Sequence, residues 1–187
     1  MPSPRLPRVA ATELPDDLRE AHQRSMELRG DATFFEVFGN HPALYRWYVE
    51  RFYGEVFYTG RVDRQMKELL RYRLSTTHGC RFCNQGNRAD SLAAGLDERT
   101  LAAIDKDKLD ELDGRARAVI QLADRMALTN PGGELDAETH AALRRYFDDA
   151  DILELGLVAG VLAGMAKFLF AFDLVEREAN CPIPASE

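Results

Sequence analysis

The sequence predicts an all-α protein folded as one domain, and three observations carry that expectation. Apolar residues recur at helical spacing from about residue 15 onward. No stretch alternates apolar and β-branched residues between turn signals, as a strand would. The punctuation is that of helices, with proline or aspartate where they begin and glycine where they end. At 187 residues the chain is long enough for one core and short for two. Residues 1–187 therefore read as a single domain, with 1–30 as an N-terminal helical extension.

Pro15 opens a first helix over about 15–28, with Leu14, Leu18, His22, Ser25 and Met26 along it, and Gly30 closes it. Pro42 suits the first turn of a second helix carrying Leu44, Trp47, Tyr48, Phe52 and Phe57, which Gly60 and Arg61 end. Asp63 caps a third, whose stripe is Met66, Leu69, Leu70, Arg73, Leu74 and Thr77 and whose stop is His78-Gly79. Glu68 lies opposite that stripe with Arg64, Arg71, Tyr72 and Ser75, facing either solvent or a polar site. A fourth helix starts at the cysteine pair Cys80/Cys83 and runs to Ala94, with Gly95 after it and Asp97 capping a short successor through Ile104. A charged connector over 106–113 leads to a helix with Ala116, Val119, Ile120, Leu122, Ala123 and Met126 on its apolar side. Asn130-Pro131-Gly132-Gly133 is the clearest loop. Asp136 caps a helix to Phe147, and a long last helix spans about 149–178. Gly156, Gly160 and Gly164 share one face of it, for tight packing within the subunit or for a subunit interface.

Composition excludes several functions. The hydrophobic fraction of 45% and charged fraction of 29% are those of a soluble globular protein. A net charge of −7 and an isoelectric point near 5.2 argue against nucleic acid or an anionic membrane as partner. Prolines interrupt Met1-Pro2-Ser3-Pro4-Arg5-Leu6-Pro7 where a signal peptide needs an apolar run, so the expected location is cytoplasmic. Residues 155–172 hold a single charge, Lys167, and approach the length of a membrane span. Acidic flanks on both sides, including Asp148, Asp149, Asp173 and Glu176, favour a buried helix instead.

The chemistry points to Cys80-Arg81-Phe82-Cys83. A thiol attacks only as its thiolate, and a free cysteine, with a pKa near about 8.5, is mostly protonated at neutral pH. The positive end of the helix, its unbonded first-turn amides and the cation Arg81 would each stabilise the anion. One turn separates the sulfurs, close enough to form a disulfide, so the pair has the design of a dithiol redox site. Zinc would need two further ligands at matching spacing, and the chain offers only isolated His22, His41, His78, His140 and Cys181. A thioredoxin-like site would need βαβ flanks. Two inert buried cysteines are the third alternative. Cys181 has no partner near it in sequence and reads as structural or incidental. The pattern calls for no cofactor and no metal.

Glu68, eleven intervening residues, Cys80-x-x-Cys83 and a polar residue four further on resemble the AhpD-like alkylhydroperoxidase and carboxymuconolactone decarboxylase family. Asn40-His41-Pro42-Ala43-Leu44, Lys67-Glu68-Leu69-Leu70-Arg71, Ala93-Ala94-Gly95-Leu96-Asp97-Glu98 and the run from Phe147 to Leu155 are also similar to that family's segments. The resemblance covers about residues 30–175. It implies an AhpD-like multi-helix bundle with the CxxC at the N-terminus of a core helix, assembled as a homo-trimer or hexamer. It further implies an oxidoreductase that reduces organic hydroperoxides and is regenerated by an external dithiol or thiol protein. By position, Cys83 would attack peroxide, Cys80 would resolve the product into a disulfide, and Glu68 would belong to a proton relay. The relay histidine expected four residues after the second cysteine is Asn87 here, and the histidine some members carry just before that cysteine is Phe82.

Asparagine can orient a water but cannot hold and release a proton near neutral pH, so a peroxidase with Asn87 is expected to be a weakened one. His78 is the nearest titratable substitute, or else simply a polar helix end. Glu68 has its own bland reading, an exposed ion pair with Arg64 and Arg71 at i−4 and i+3. Two other functions stay open: a lactone decarboxylase, against which the cysteine pair counts, and a redox sensor or scaffold without peroxidase activity, for which Asn87 is the main support.

Overall fold

The computed structural model describes residues 1–183, and among them the regular structure is entirely helical. The helices are α1 (Asp16–Arg29), α2 (Thr33–Phe38), α3 (Pro42–Arg46), α4 (Arg64–His78), α5 (Arg81–Ala93), α6 (Glu98–Asp105), α7 (Gly114–Met126), α8 (Ala137–Leu143) and α9 (Asp149–Ala171). A π-helix, Trp47–Tyr58, continues α3, and short 3₁₀ turns lie at Ala11–Glu13 and Leu109–Glu111. The expected caps Asp63, Asp97 and Asp136 each accept a backbone N–H in the first turn of the following helix, and Asp113 and Asp148 do the same for α7 and α9.

The α4 helix is central, packed against α5, α7, α9 and the π-helix, and its buried residues lie all around it. One core cluster runs from the π-helix through α4, α6 and α7 to the first half of α9. A second joins Leu14, Leu18 and Ala21 to α2, Tyr45, Cys80 and Leu169 to Val175. The N-terminal extension is thus built into the core that holds the cysteine pair.

The structure departs from the sequence expectations at four places. The helix α2 occupies a stretch between Gly30 and Pro42 where the sequence announces no element, and the second helix becomes π-helical after Arg46. There Tyr48, Tyr53 and Tyr58 repeat at five residues, as do Phe52 and Phe57, and their rings lie 5.0–6.2 Å apart. The α8 helix ends at Leu143 rather than Phe147. The α9 helix ends at Ala171 rather than near residue 178, because Asp173 takes a left-handed φ of 51° and Leu174 and Val175 turn back into the core. Gly156 and Gly164 meet no atom within 4 Å and Gly160 only Met126, so these glycines do not serve tight packing within the subunit.

Candidate active site

The cysteine pair sits at the corner between α4 and α5. Gly79 makes the corner with a φ of 64°, and a side chain there would strike Cys181, whose Cα would be 2.7 Å from its Cβ. Cys80 then caps α5, its Sγ accepting from the Cys83 amide at 3.2 Å. The two cysteines are joined as a disulfide with Cα atoms 5.2 Å apart. Cys80 is buried and Cys83 half-buried, so Cys83 is the more accessible sulfur. The segment after α9 straps the corner: the Glu178 amide donates to the Gly79 carbonyl at 2.8 Å, and the Cys181 thiol donates to the His78 carbonyl at 3.0 Å. Cys181 thereby has a local structural partner.

A cavity of about 180 Å³ opens on the pair. Cys80, Cys83, Asn87 and His78 all line it. Its walls are largely apolar, from Phe34 and Phe35 of α2, Tyr48 and Tyr53 of the π-helix, and Leu162, Met165 and Leu169 of α9. Cys83, Asn87 and Asp90 follow one another at i, i+4 and i+7 and present one face of α5 to it. The Asn87 amide makes no hydrogen bond among the described residues.

Glu68 does not line the cavity. It is fully buried rather than solvent-facing, because α5 and the π-helix cover that side of α4. Arg64 Nε donates to one carboxylate oxygen at 3.1 Å, and Arg71 donates to the other. Arg71 also donates to Asp90 at 2.8 Å and to the Tyr53 hydroxyl at 3.4 Å, with its guanidinium 5.0 Å from the Phe57 ring centre. Burial opposes its charge, but Tyr53, Glu68 and Asp90 more than offset that and hold its pKa above the ordinary arginine value. Glu68 thus reaches the cavity only through Arg71.

His78 is in the cavity wall without being poised as its base. Its Nε2 accepts from the Leu128 amide at 2.9 Å, and burial lowers its pKa to about 4. The imidazole is neutral at physiological pH, with that lone pair already engaged. Arg81 does not serve the thiols as expected either. It is exposed, does not line the cavity and pairs with Glu176 at 3.5 Å. The cations that do line the cavity are Arg29, from the end of α1, and Arg71.

Sequence reasoning missed Arg29, Tyr53 and Asp90 as site residues. Asp90 was legible as the next same-face position after Asn87, and Tyr53 as the middle of the five-residue tyrosine repeat. Arg29 carries no local signal, because its place depends on α1 packing beside α5.

The carboxymuconolactone decarboxylase family model matches residues 42–125. No curated protein is significantly similar to this chain. Several solved structures share the fold, two of them over nearly the whole chain. One is the alkylhydroperoxidase AhpD core of an uncharacterized peroxidase-related protein from Ralstonia eutropha, with a TM-score of 0.72 at 16% identity over 96% of this chain and 94% of that one. The other is an uncharacterized peroxidase-related protein from a Silicibacter species, with a TM-score of 0.64 at 19% identity over 96% and 93%.

Proposed function

We propose that this chain, which matches the carboxymuconolactone decarboxylase family model over residues 42–125 and shares its fold with an alkylhydroperoxidase AhpD core, is a dithiol oxidoreductase that reduces organic hydroperoxides at Cys83. The observation that carries this reading is the pair itself: two cysteines within bonding distance at a helix N-terminus, the accessible one facing a largely apolar cavity.

The Cys83 thiolate attacks the terminal peroxide oxygen. A sulfur–oxygen bond forms, the oxygen–oxygen bond breaks, and the alkoxide takes a proton from water to leave as the alcohol. The Cys80 thiol then displaces hydroxide from the Cys83 sulfenic acid, giving the disulfide and water. An external dithiol or thiol protein restores both thiols by exchange. The positive end of α5 favours the thiolate. Asn87 holds a water beside the sulfur rather than acting as a base, and Glu68 acts by positioning Arg71. The assembly is a homo-oligomer formed through the exposed face of α9.

In the test, reduced protein is mixed with cumene hydroperoxide. Wild type is expected to form the Cys80–Cys83 disulfide, seen by mass spectrometry, and Cys83→Ser to lose turnover. Thiols that stay free, or react no faster than small thiols, overturn the reading. The family's name supports a second reading, lactone decarboxylation. Turnover of γ-carboxymuconolactone that survives replacement of both cysteines would favour it.

A further inference from the structure

Arg29 ends α1 and crosses to the first turns of α5. Its Nε donates to the Phe82 carbonyl at 3.0 Å, and its guanidinium lies over the Phe82 ring, 4.5 Å from the centre. Gly86 leaves room for it: a Cβ there would meet the guanidinium, with Cζ 3.0 Å away. Gly86 lies three residues after Cys83 and one before Asn87, so the cation sits over the helix face that bears the accessible sulfur.

Among the described residues that guanidinium pairs with no carboxylate. Its terminal nitrogens make no hydrogen bond or ion pair among the described residues. The two carboxylates whose charge it feels make no ion pair with it: Asp90 accepts from Arg71 at 2.8 Å, and Asp31 accepts from the Thr33 amide and hydroxyl at 3.1 and 2.7 Å through Oδ1, its buried Oδ2 having no partner among the described residues. Burial disfavours the Arg29 charge and lowers its pKa. Arg71, the other cation in the wall, is already neutralised by Glu68 and Asp90. A partly desolvated guanidinium with free parallel N–H groups is a receptor for a carboxylate, which it binds through two oxygens at once.

We propose that Arg29 anchors a carboxylate on the substrate, so that the site prefers hydroperoxides bearing an acid group on a compact apolar body. The inference rests on the dithiol peroxidase reading for its reaction but on Arg29 alone for its recognition. The acid group pairs with the guanidinium, the apolar body packs on Phe34, Phe35 and Leu162, and the peroxide is presented to Cys83 Sγ.

The probes are para-carboxycumene hydroperoxide and its methyl ester, which share one apolar body and differ in the charge at its far end. Second-order rate constants for oxidation of reduced wild-type protein are expected to favour the acid by about tenfold, the worth of one charged hydrogen-bonded contact. Arg29→Gln should bring the ratio close to one. Gly86→Ala should do the same without removing the cation, by pushing the guanidinium off the helix. An acid-to-ester ratio near one in wild type, or one that Arg29→Gln leaves unchanged, overturns the proposal. If neither peroxide oxidises Cys83, the peroxidase reading falls separately. The anchor is then decided by calorimetric titration with the unreactive 4-isopropylbenzoate and 4-isopropylbenzamide. A preference for the benzoate that Arg29→Gln abolishes sustains it, and equal binding of the two overturns it.

Discussion

Arg71 donates to the Glu68 carboxylate and, 2.8 Å away, to Asp90, so a glutamate sealed behind the cavity is tied through one guanidinium to a residue in its wall. On the proposed reaction this arrangement casts Glu68 as a positioning residue and Cys83 as the group whose ionisation sets the rate. Glu68→Gln should slow Cys83 oxidation by roughly 10- to 100-fold through misplacement of Arg71, while the midpoint of the pH–rate profile stays where it is. The same change removes the counter-charge of a buried arginine and should cost about 3 kcal/mol of stability by urea denaturation. Disappearance of one limb of the pH–rate profile would instead make Glu68 the titrating member of a relay.

Asn87 stands one turn after Cys83 in the same wall, with an amide that holds no hydrogen bond among the described residues. A histidine there would supply the base that the site lacks, since His78 has its Nε2 lone pair engaged by Leu128. Asn87→His should raise the rate of Cys83 oxidation by about 100-fold or more, and the profile should gain an inflection near about pH 6.5. A folded variant with an unchanged rate would show that removal of the thiol proton does not limit the reaction.

His78 also makes stability depend on pH. Its folded-state pKa of about 4 lies below the ordinary value of 6.5. As pH falls through that window the unfolded chain binds a proton that the folded protein does not, so stability declines from about pH 6.5 to about pH 4. The loss should reach about 3 kcal/mol at the acid end. His78→Gln keeps an acceptor for the Leu128 amide and should flatten that part of the curve in urea denaturation. An identical slope in the two proteins would place the acid sensitivity elsewhere.

The all-α class, the helix starts and the Cys80/Cys83 corner were legible because each rests on residues near one another in sequence: aspartate before a first turn, glycine after a last one, two thiols one turn apart. What escaped depends on packing or on departures from the 3.6-residue period. The π-helix hid because its five-residue tyrosine repeat does not match an α-helical stripe. The end of α9 hid because apolar Leu174 and Val175 extend the pattern, while Asp173 adopts a backbone its residue type does not announce. The burial of Glu68 could not be read from α4 alone, since the cover comes from α5 and from Tyr53 and Phe57. Arg81 seemed the natural cation for the thiols by adjacency. In space Arg29 and Arg71, neither of them adjacent to the pair in sequence, are the arginines that share the cavity wall with it.

The α9 helix leaves an apolar stripe uncovered: Leu153 is 74% and Leu157 56% exposed, and Gly160 and Gly164 continue the line. The spacing of 153, 157, 160 and 164 is that of a two-helix seam, and its glycines meet no neighbour closer than 3.7 Å, which leaves room for a helix of a second copy to approach the backbone. Wild type is therefore expected to sediment as an oligomer at micromolar concentration. Leu153→Glu combined with Leu157→Glu should yield a monomer, because each would place a carboxylate in a desolvated seam. Both side chains point away from the core in one subunit, so the helical circular-dichroism signal of the double variant should match that of wild type. An oligomer that persists unchanged in the double variant would move the interface off α9.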